Sequence, residues 1–210
     1  MPSLTDLALG LVTVYLAWRL PRAGEVSRHW RAAFAWVAGT ALAGAVYHGV
    51  LVGIPRVNAL SWALTSIMVV VVVSYLLAAS VVQVLGRSRA AVFWLLRSVG
   101  LVAYVVLATA GHASITAIMW CESLTMASVL GLWIWAWRRH HPMGGPMLVA
   151  LGASIAAAML RLVPGAAALA GLDPDSGYHL GQIAGMVLLY HAIASTGGRS
   201  DTAARLTPAV

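Results

Sequence analysis

Three of the seven histidines stand near the ends of long apolar segments, where they could act together. His48 lies near the end of the second segment, His112 at the start of the fifth and His179 at the start of the seventh. Imidazole nitrogens are favoured ligands of Zn²⁺ and related divalent ions, and Asp175, four residues before His179, could add a carboxylate. Alternatively, each side chain caps a helix or meets water at a membrane boundary. The sequence thus allows either a shared metal site or separate interfacial residues.

Residues beside His48 and His179 could line a pocket around them. Tyr47 and Tyr178 each directly precede one of these histidines, and Gln182 shares a helical face with His179. Small residues also recur at spacings of four along both segments, which favours close helix packing: Ala41, Ala45, Gly49 and Gly53, then Gly177, Gly181 and Gly185.

Glu122 is the only acid that we expect inside a membrane helix, near its middle. A carboxylate there is either protonated or paired, and Arg97 and Arg161 are candidate partners, although each lies near a helix end where it could snorkel to water. One interpretation is proton relay or ligand contact, and the other is a hydrogen-bonded structural carboxyl. His191, in the last segment, could ligate haem or be a core histidine.

The elements that position these residues follow from composition. Of 210 residues, 61% are hydrophobic and only 9% are charged, and apolar runs long enough to cross a bilayer recur throughout. Backbone groups in lipid must be paired within a segment, so the runs should be helices. We predict an all-α membrane protein of about seven transmembrane helices over residues 1–197 and a disordered cytoplasmic tail over 198–210. The predicted spans are Leu4–Leu20, Arg31–Val52, Asn58–Leu85, Ala90–Ala110, His112–Trp137, Pro146–Val163 and Tyr178–Ser195.

Charge gives the bundle a direction. All 13 basic residues are arginine, and they concentrate in alternate loops, which predicts an outer N-terminus, a cytoplasmic C-terminus and an outward-facing histidine pocket. This placement argues against a nucleic-acid partner, and arginine without lysine is typical of a GC-rich bacterial genome, so we expect the bacterial inner membrane. The absence of lysine also excludes a retinal Schiff base. The basic loops contain Arg22, Arg28 and Arg31, then Arg87 and Arg89, then Arg138 and Arg139, and finally Arg199 and Arg205.

Several short runs resemble an uncharacterised family of bacterial seven-helix membrane proteins: Thr5-Asp6, Ala17-Trp18-Arg19, Trp30, Ala33-Phe34, Tyr47-His48-Gly49, Tyr178-His179-Leu180 and Gln182. A weaker similarity extends to the superfamily of alkaline ceramidases and progestin/adiponectin receptors, which are mostly metal-dependent lipid hydrolases. That resemblance implies a metal held by histidines, with His48 and His179 as two ligands, and water attack on an amide or ester.

The chain departs from the superfamily pattern at three positions. Gly44 stands where the superfamily has a serine, and Ile183 where it has the second histidine of a helix-seven pair. The third helix opens with Asn58 and Ser61 rather than an acid. We therefore expect His112 to supply the third ligand if a three-histidine site exists.

Two functions remain open at the level of sequence. One is a divergent Zn²⁺-dependent hydrolase of lipid amides or esters. The other is a non-catalytic membrane subunit that binds a lipid, haem or a partner membrane protein. Membrane lipids are the expected surroundings in both cases.

Overall fold

The structure, a computed structural model, describes residues 2–20, 28–163 and 165–206. Within these ranges the chain forms seven long α-helices and no β-strand. Arg22 of the first predicted basic loop and residues 207–210 of the predicted tail lie outside the described residues. The helices are α1 (Pro2–Arg19), α2 (Arg28–Gly49), α3 (Pro55–Leu85), α4 (Val92–Leu107), α5 (Ile115–Arg138), α6 (Gly144–Leu162) and α7 (Pro174–Leu206).

Local residue chemistry accounts for the helix ends. Pro55 begins α3, where its missing N–H leaves no hydrogen bond unmade. Gly86 ends that helix at φ 81°, and Gly111 separates α4 from α5 at φ 85°, conformations that side-chain-bearing residues seldom adopt. Ser114 caps α5 by accepting a hydrogen bond from the backbone of Ala117 at 3.1 Å.

The last helix is longer than the sequence suggested. We predicted a span ending at Ser195 and a disordered tail from residue 198, whereas α7 continues to Leu206. The reason is local: Ala203, Ala204 and Arg205 favour helix, and no proline interrupts the chain between Pro174 and Pro208.

Among the described residues, four stretches are long and apolar enough to cross a membrane: Leu60–Leu85, Val92–His112, Ile115–Arg138 and Gly144–Leu162. Large apolar side chains point outward from them; Leu95 of α4, for example, is 69% exposed. Such surfaces suit lipid rather than water. These helices agree with the prediction of an all-α membrane protein.

The helices pack so that the first and the last helix are in contact. α1 contacts α2 and α7, α7 also packs along α6, and α3 lies against α2 and α5. Gly181 and Gly185 bring α7 close to α6, because a Cβ at Gly181 would lie 2.6 Å from the Cβ of Ala157. The contact between α1 and α7 creates the candidate site.

Candidate functional site

The centre of the candidate site is Asp6, a buried carboxylate on α1. Its Oδ1 lies 3.1 Å from Nε2 of His179 on α7, and its Oδ2 lies 3.8 Å from Nε2 of His48 on α2. His179 is buried, whereas 26% of the His48 side chain is exposed. Side chains from three helices therefore converge at one end of the bundle. We refer to Asp6, His48 and His179 as the Asp6 cluster.

Thr5 determines which ring nitrogen of His179 carries the proton. The Thr5 hydroxyl donates its single proton to the Pro2 carbonyl at 2.9 Å, and it also lies 3.1 Å from Nδ1 of His179. It must therefore accept a hydrogen bond from Nδ1–H. A neutral imidazole protonated at Nδ1 has a lone pair on Nε2, which would face the lone pairs of the Asp6 carboxylate. A proton or another cation between Nε2 and Asp6 removes this repulsion.

Gly44 allows α2 to approach the Asp6 carboxylate. It lies one helical turn before His48 on the same face, and a Cβ at this position would stand 3.0 Å from both carboxylate oxygens of Asp6. The carboxylate thus occupies the space beside α2 that a side chain at position 44 would need.

The predicted pocket residues surround the cluster with separate contacts. The Tyr47 hydroxyl donates to Oδ1 of Asn58 at 2.8 Å, which ties α2 to α3. Arg161 of α6 pairs with Asp175 at 2.9 Å and lies over the ring of Tyr178. These groups form a polar rim beside the Asp6 cluster.

Two further residues orient the start of α7 near this rim. Gln182 faces α6, where its amide donates to the Ser154 carbonyl at 3.4 Å. Asp173 accepts hydrogen bonds from the hydroxyl and the backbone N–H of Ser176, at 2.6 and 2.9 Å. Those bonds hold the pKa of Asp173 below its ordinary value.

Two of the predicted histidines lie away from the cluster. His112 is exposed in the turn between α4 and α5, and in the part of the chain that the structure describes no contact joins it to His48 or His179. His191 is exposed on α7, with its ring beside that of Tyr190. The structure thus brings together His48 and His179 but not His112.

Glu122 belongs to a second polar cluster, between α3, α4 and α5. Arg97 donates from Nη2 to Glu122 at 2.8 Å, from Nη1 to Thr125 at 2.9 Å and from Nε to Ser74 at 3.0 Å. Gly100 permits this approach, since a Cβ there would lie 2.5 Å from the Cys121 carbonyl oxygen. We refer to Arg97, Glu122, Thr125 and Ser74 as the Arg97 cluster.

The structure decides between the two alternatives for Arg97 and shows that one prediction about Glu122 was wrong. Arg97 does not snorkel to a boundary, because its side chain is 3% exposed and paired with Glu122. Glu122 is also not the only acid inside a helix, because Asp6 lies within α1. Sequence reasoning missed Asp6 as a site residue, although Asp6 is the only acid of the first apolar run and stands at the same end as His48 and His179.

The Asp6 cluster is looser than a loaded metal site. Among the described residues, no group of three or more His, Cys, Asp or Glu side chains is arranged to hold a metal ion. The ring centroids of His48 and His179 are 6.5 Å apart, whereas about 5 Å is expected for two imidazoles on a tetrahedral Zn²⁺ with Zn–N bonds of about 2.0–2.1 Å. Oδ2 of Asp6 is buried without a hydrogen-bond partner, so one oxygen that could bind a cation is left beside His48.

Comparison with known proteins places the whole bundle in one family. No curated protein and no solved structure matches the chain. Residues 1–197, which hold every residue of both polar clusters, match the family model described as a family of unknown function, DUF6962. The chain therefore belongs to the DUF6962 family.

Proposed function

We propose that the chain is a seven-span protein of the bacterial inner membrane, with its N-terminus outside and its C-terminus in the cytoplasm. Besides the four apolar stretches, α1, α2 and α7 contain 18, 22 and 33 residues. Eighteen helical residues extend about 27 Å, close to the hydrocarbon thickness of a bilayer. The alternation of arginine-rich loops supports the direction.

Reporter fusions test this topology. Alkaline phosphatase fused after Ile54 should be active, and a fluorescent protein fused after Arg89 or at the C-terminus should fluoresce, since these positions fall on opposite sides. An active phosphatase after Arg89 would contradict the proposed direction.

At the outer end, we propose a divalent-cation-dependent hydrolase site for lipid amides or esters. The observation that carries this proposal is the approach of two imidazole Nε2 atoms, from His48 and His179, to one buried carboxylate. Two histidines and one carboxylate are a frequent ligand set of catalytic Zn²⁺. The unpaired Oδ2 of Asp6 supports it further, because a cation would satisfy that buried acceptor.

Asp6 replaces His112 as the proposed third ligand. The superfamily that the sequence resembles has a serine at the position of Gly44 and a histidine at that of Ile183. In this chain the Asp6 carboxylate lies over Gly44. Helix α1 would thus contribute a metal-binding oxygen in place of the histidine that α7 lacks. Loading an ion would require the His48 and His179 rings to approach each other by about 1 Å.

The residues in and beside the Asp6 cluster would then have distinct roles. Thr5 fixes the His179 ring through Nδ1, in the way that outer groups orient metal-binding histidines. His48 is the most accessible of the three side chains, so a substrate could reach the cluster from its side. A divalent ion bound there would polarise a carbonyl and activate water. Arg161 and Asp175 at the rim would contact the polar part of a lipid substrate.

Metal content and hydrolysis, measured on the same purified protein, test the proposal. After incubation with Zn²⁺ and desalting, we expect about one ion per chain and hydrolysis of a fluorogenic ceramide analogue or short-chain ester. Asp6→Asn and His179→Gln should each lower metal affinity at least tenfold. The matched control is Asp173→Asn, an acid at the same end but outside the cluster. Absence of stoichiometric metal in the unaltered protein would contradict the proposal.

The second candidate is a non-catalytic membrane subunit, and the short Asp6–His179 contact favours it. At 3.1 Å the two groups can share a proton directly and join α1 to α7 without a metal. In that case the protein would bind no ion, and a lipid, haem or a partner membrane protein would be its ligand. An absorption spectrum distinguishes haem by its Soret band, and co-purification followed by mass spectrometry identifies a partner.

A further inference from the structure

A groove of about 350 Å³ opens at the other end of the bundle, between α3 and α4. Its walls are mostly apolar and include Ala78 and Val82 of α3 and Phe93 and Trp94 of α4. Trp94 is 69% exposed. The groove is far along α3 from Asn58 and the Asp6 cluster, so it is a separate site.

The dimensions of the groove match one lipid chain. Its lining on α3 runs from Val82 to Ser74, and eight helical residues extend about 12 Å. One leaflet of a bilayer has a hydrocarbon depth of about 15 Å, half of the total. The groove therefore follows the depth of one leaflet.

The Ser74 hydroxyl, which lines the groove, already has its hydrogen-bond partners. The Ser74 hydroxyl donates to the Val70 carbonyl at 2.7 Å and accepts from Nε of Arg97 at 3.0 Å. The His29 ring, at the mouth, lies 6.3 Å from that of Tyr75. An apolar chain can therefore lie against Ser74 without leaving its hydroxyl unpaired.

The mouth of the groove is positively charged. Arg28 directly precedes His29, which lines the groove, and Arg87 lies three residues before Ala90, which also lines it. Arg87 and Arg89 lie exposed in the turn before α4, and the segment between α3 and α4 contains no acid. In the ranges that the structure describes, no carboxylate pairs with Arg28, Arg87 or Arg89. An anionic group at this mouth would meet several cations.

We propose that this groove binds an anionic phospholipid, with one acyl chain between α3 and α4 and the headgroup phosphate on Arg28 and Arg87. The apolar walls and the cationic mouth supply the two parts of the recognition. A zwitterionic lipid would fill the same walls but would gain less at the mouth, because its own cation opposes the arginines. This site does not depend on the hydrolase proposal.

Native mass spectrometry of the full chain, delipidated in mild detergent, tests the site. Phosphatidylglycerol and phosphatidylcholine with identical acyl chains serve as probes. We expect at least about tenfold tighter retention of phosphatidylglycerol, since each arginine near an anionic lipid contributes substantially. Arg28→Gln with Arg87→Gln should reduce the preference to about twofold or less. Arg138→Gln with Arg139→Gln, a matched pair from another loop, should leave it unchanged.

Two further measurements separate the acyl chain from the headgroup. Ala78→Phe fills the groove and should lower retention of both lipids at least fivefold while leaving the helical circular dichroism unchanged. Inorganic phosphate at millimolar concentration should not displace phosphatidylglycerol. Equal retention of the two lipids, equal losses in the two arginine pairs, or displacement by phosphate would each overturn the proposal, the last by indicating a site for a free anion.

Discussion

The two polar clusters of this protein both bury charged side chains between helices, but they pair those charges differently. In the Arg97 cluster, three nitrogens of one guanidinium donate to three different acceptors at 2.8–3.0 Å. In the Asp6 cluster, the carboxylate has one close partner at 3.1 Å and another at 3.8 Å, and an exposed edge remains on His48. In the first arrangement each guanidinium nitrogen has its acceptor, as a structural network should, although Oε2 of Glu122, like Oδ2 of Asp6, is buried without a hydrogen-bond partner. The second leaves room for a proton, an ion or a substrate, which is why we assign function to it.

The largest effect should come from breaking the Arg97 cluster. Arg97→Met leaves the Glu122 carboxylate buried without its partner, and removing one member of a buried ion pair costs about 3–5 kcal/mol. The double variant Arg97→Met with Glu122→Leu should recover most of that loss. Thermal unfolding in detergent measures both. If the double variant is no more stable than the single variant, the pair is not the reason for the loss.

Close helix packing at the same cluster gives the next effect. In Gly100→Ala the new Cβ would meet Thr125 Oγ1 and the Cys121 carbonyl oxygen at about 2.5 Å, so α4 must move away from α5 at a cost of about 1–3 kcal/mol or more. Gly131→Ala on α5 is the matched control, because nothing lies within 4 Å of its Cβ. We expect that control to be neutral or up to about 1 kcal/mol more stable. Equal effects would contradict the packing argument.

A smaller effect is expected where α2 meets the Asp6 cluster. Gly44→Ala places a Cβ 3.0 Å from both oxygens of Asp6, which requires a shift of a few tenths of an ångström and should cost about 1 kcal/mol. Metal uptake should fall as well if the cluster binds an ion. Gly39→Ala, on the same helix, meets only the flexible end of Met68 at 3.4 Å and should retain both stability and uptake.

The smallest effect concerns the beginning of α7. Asp173→Ala removes the acceptor of two hydrogen bonds from Ser176, and loss of such a cap costs about 0.5–2 kcal/mol. Because these bonds lower the pKa of Asp173, their stabilisation is present above the unfolded-state pKa and is lost as the pH falls through the lower folded-state pKa. Unfolding measured at neutral and acidic pH should show the variant's deficit only at neutral pH.

The sequence predicted the helices well because long apolar runs bounded by proline and glycine are a strong helix signal. Each predicted span overlaps one helix, and the break near Gly111 coincides with a left-handed glycine. Hydrophobicity cannot, however, determine which helix ends meet. The sequence offered Arg97 and Arg161 as candidate partners of Glu122, and only the structure shows that the partner is Arg97.

The site was predicted less completely than the fold. His48 and His179 could be grouped because the predicted topology places both at one end. The same argument included His112, which contacts neither of them in the described part of the chain. Asp6 escaped notice because its role depends on α1 packing against both α2 and α7. Pairwise helix contacts of this kind leave no periodic signal in a single sequence.

The packing of α1 against α7 also has a consequence for biosynthesis. Asp6 and His179 are 173 positions apart in the chain, which corresponds to about 9–35 s of translation at about 5–20 residues per second. In the proposed seven-span arrangement, the first helix is inserted during that interval, before its partner on the last helix exists. Until α7 is made, the Asp6 side chain would have to stay near the lipid headgroups or be protonated. Bundle closure is therefore coupled to completion of α7, and a nascent chain that stops after α6 would carry an unpaired acid available to membrane quality control.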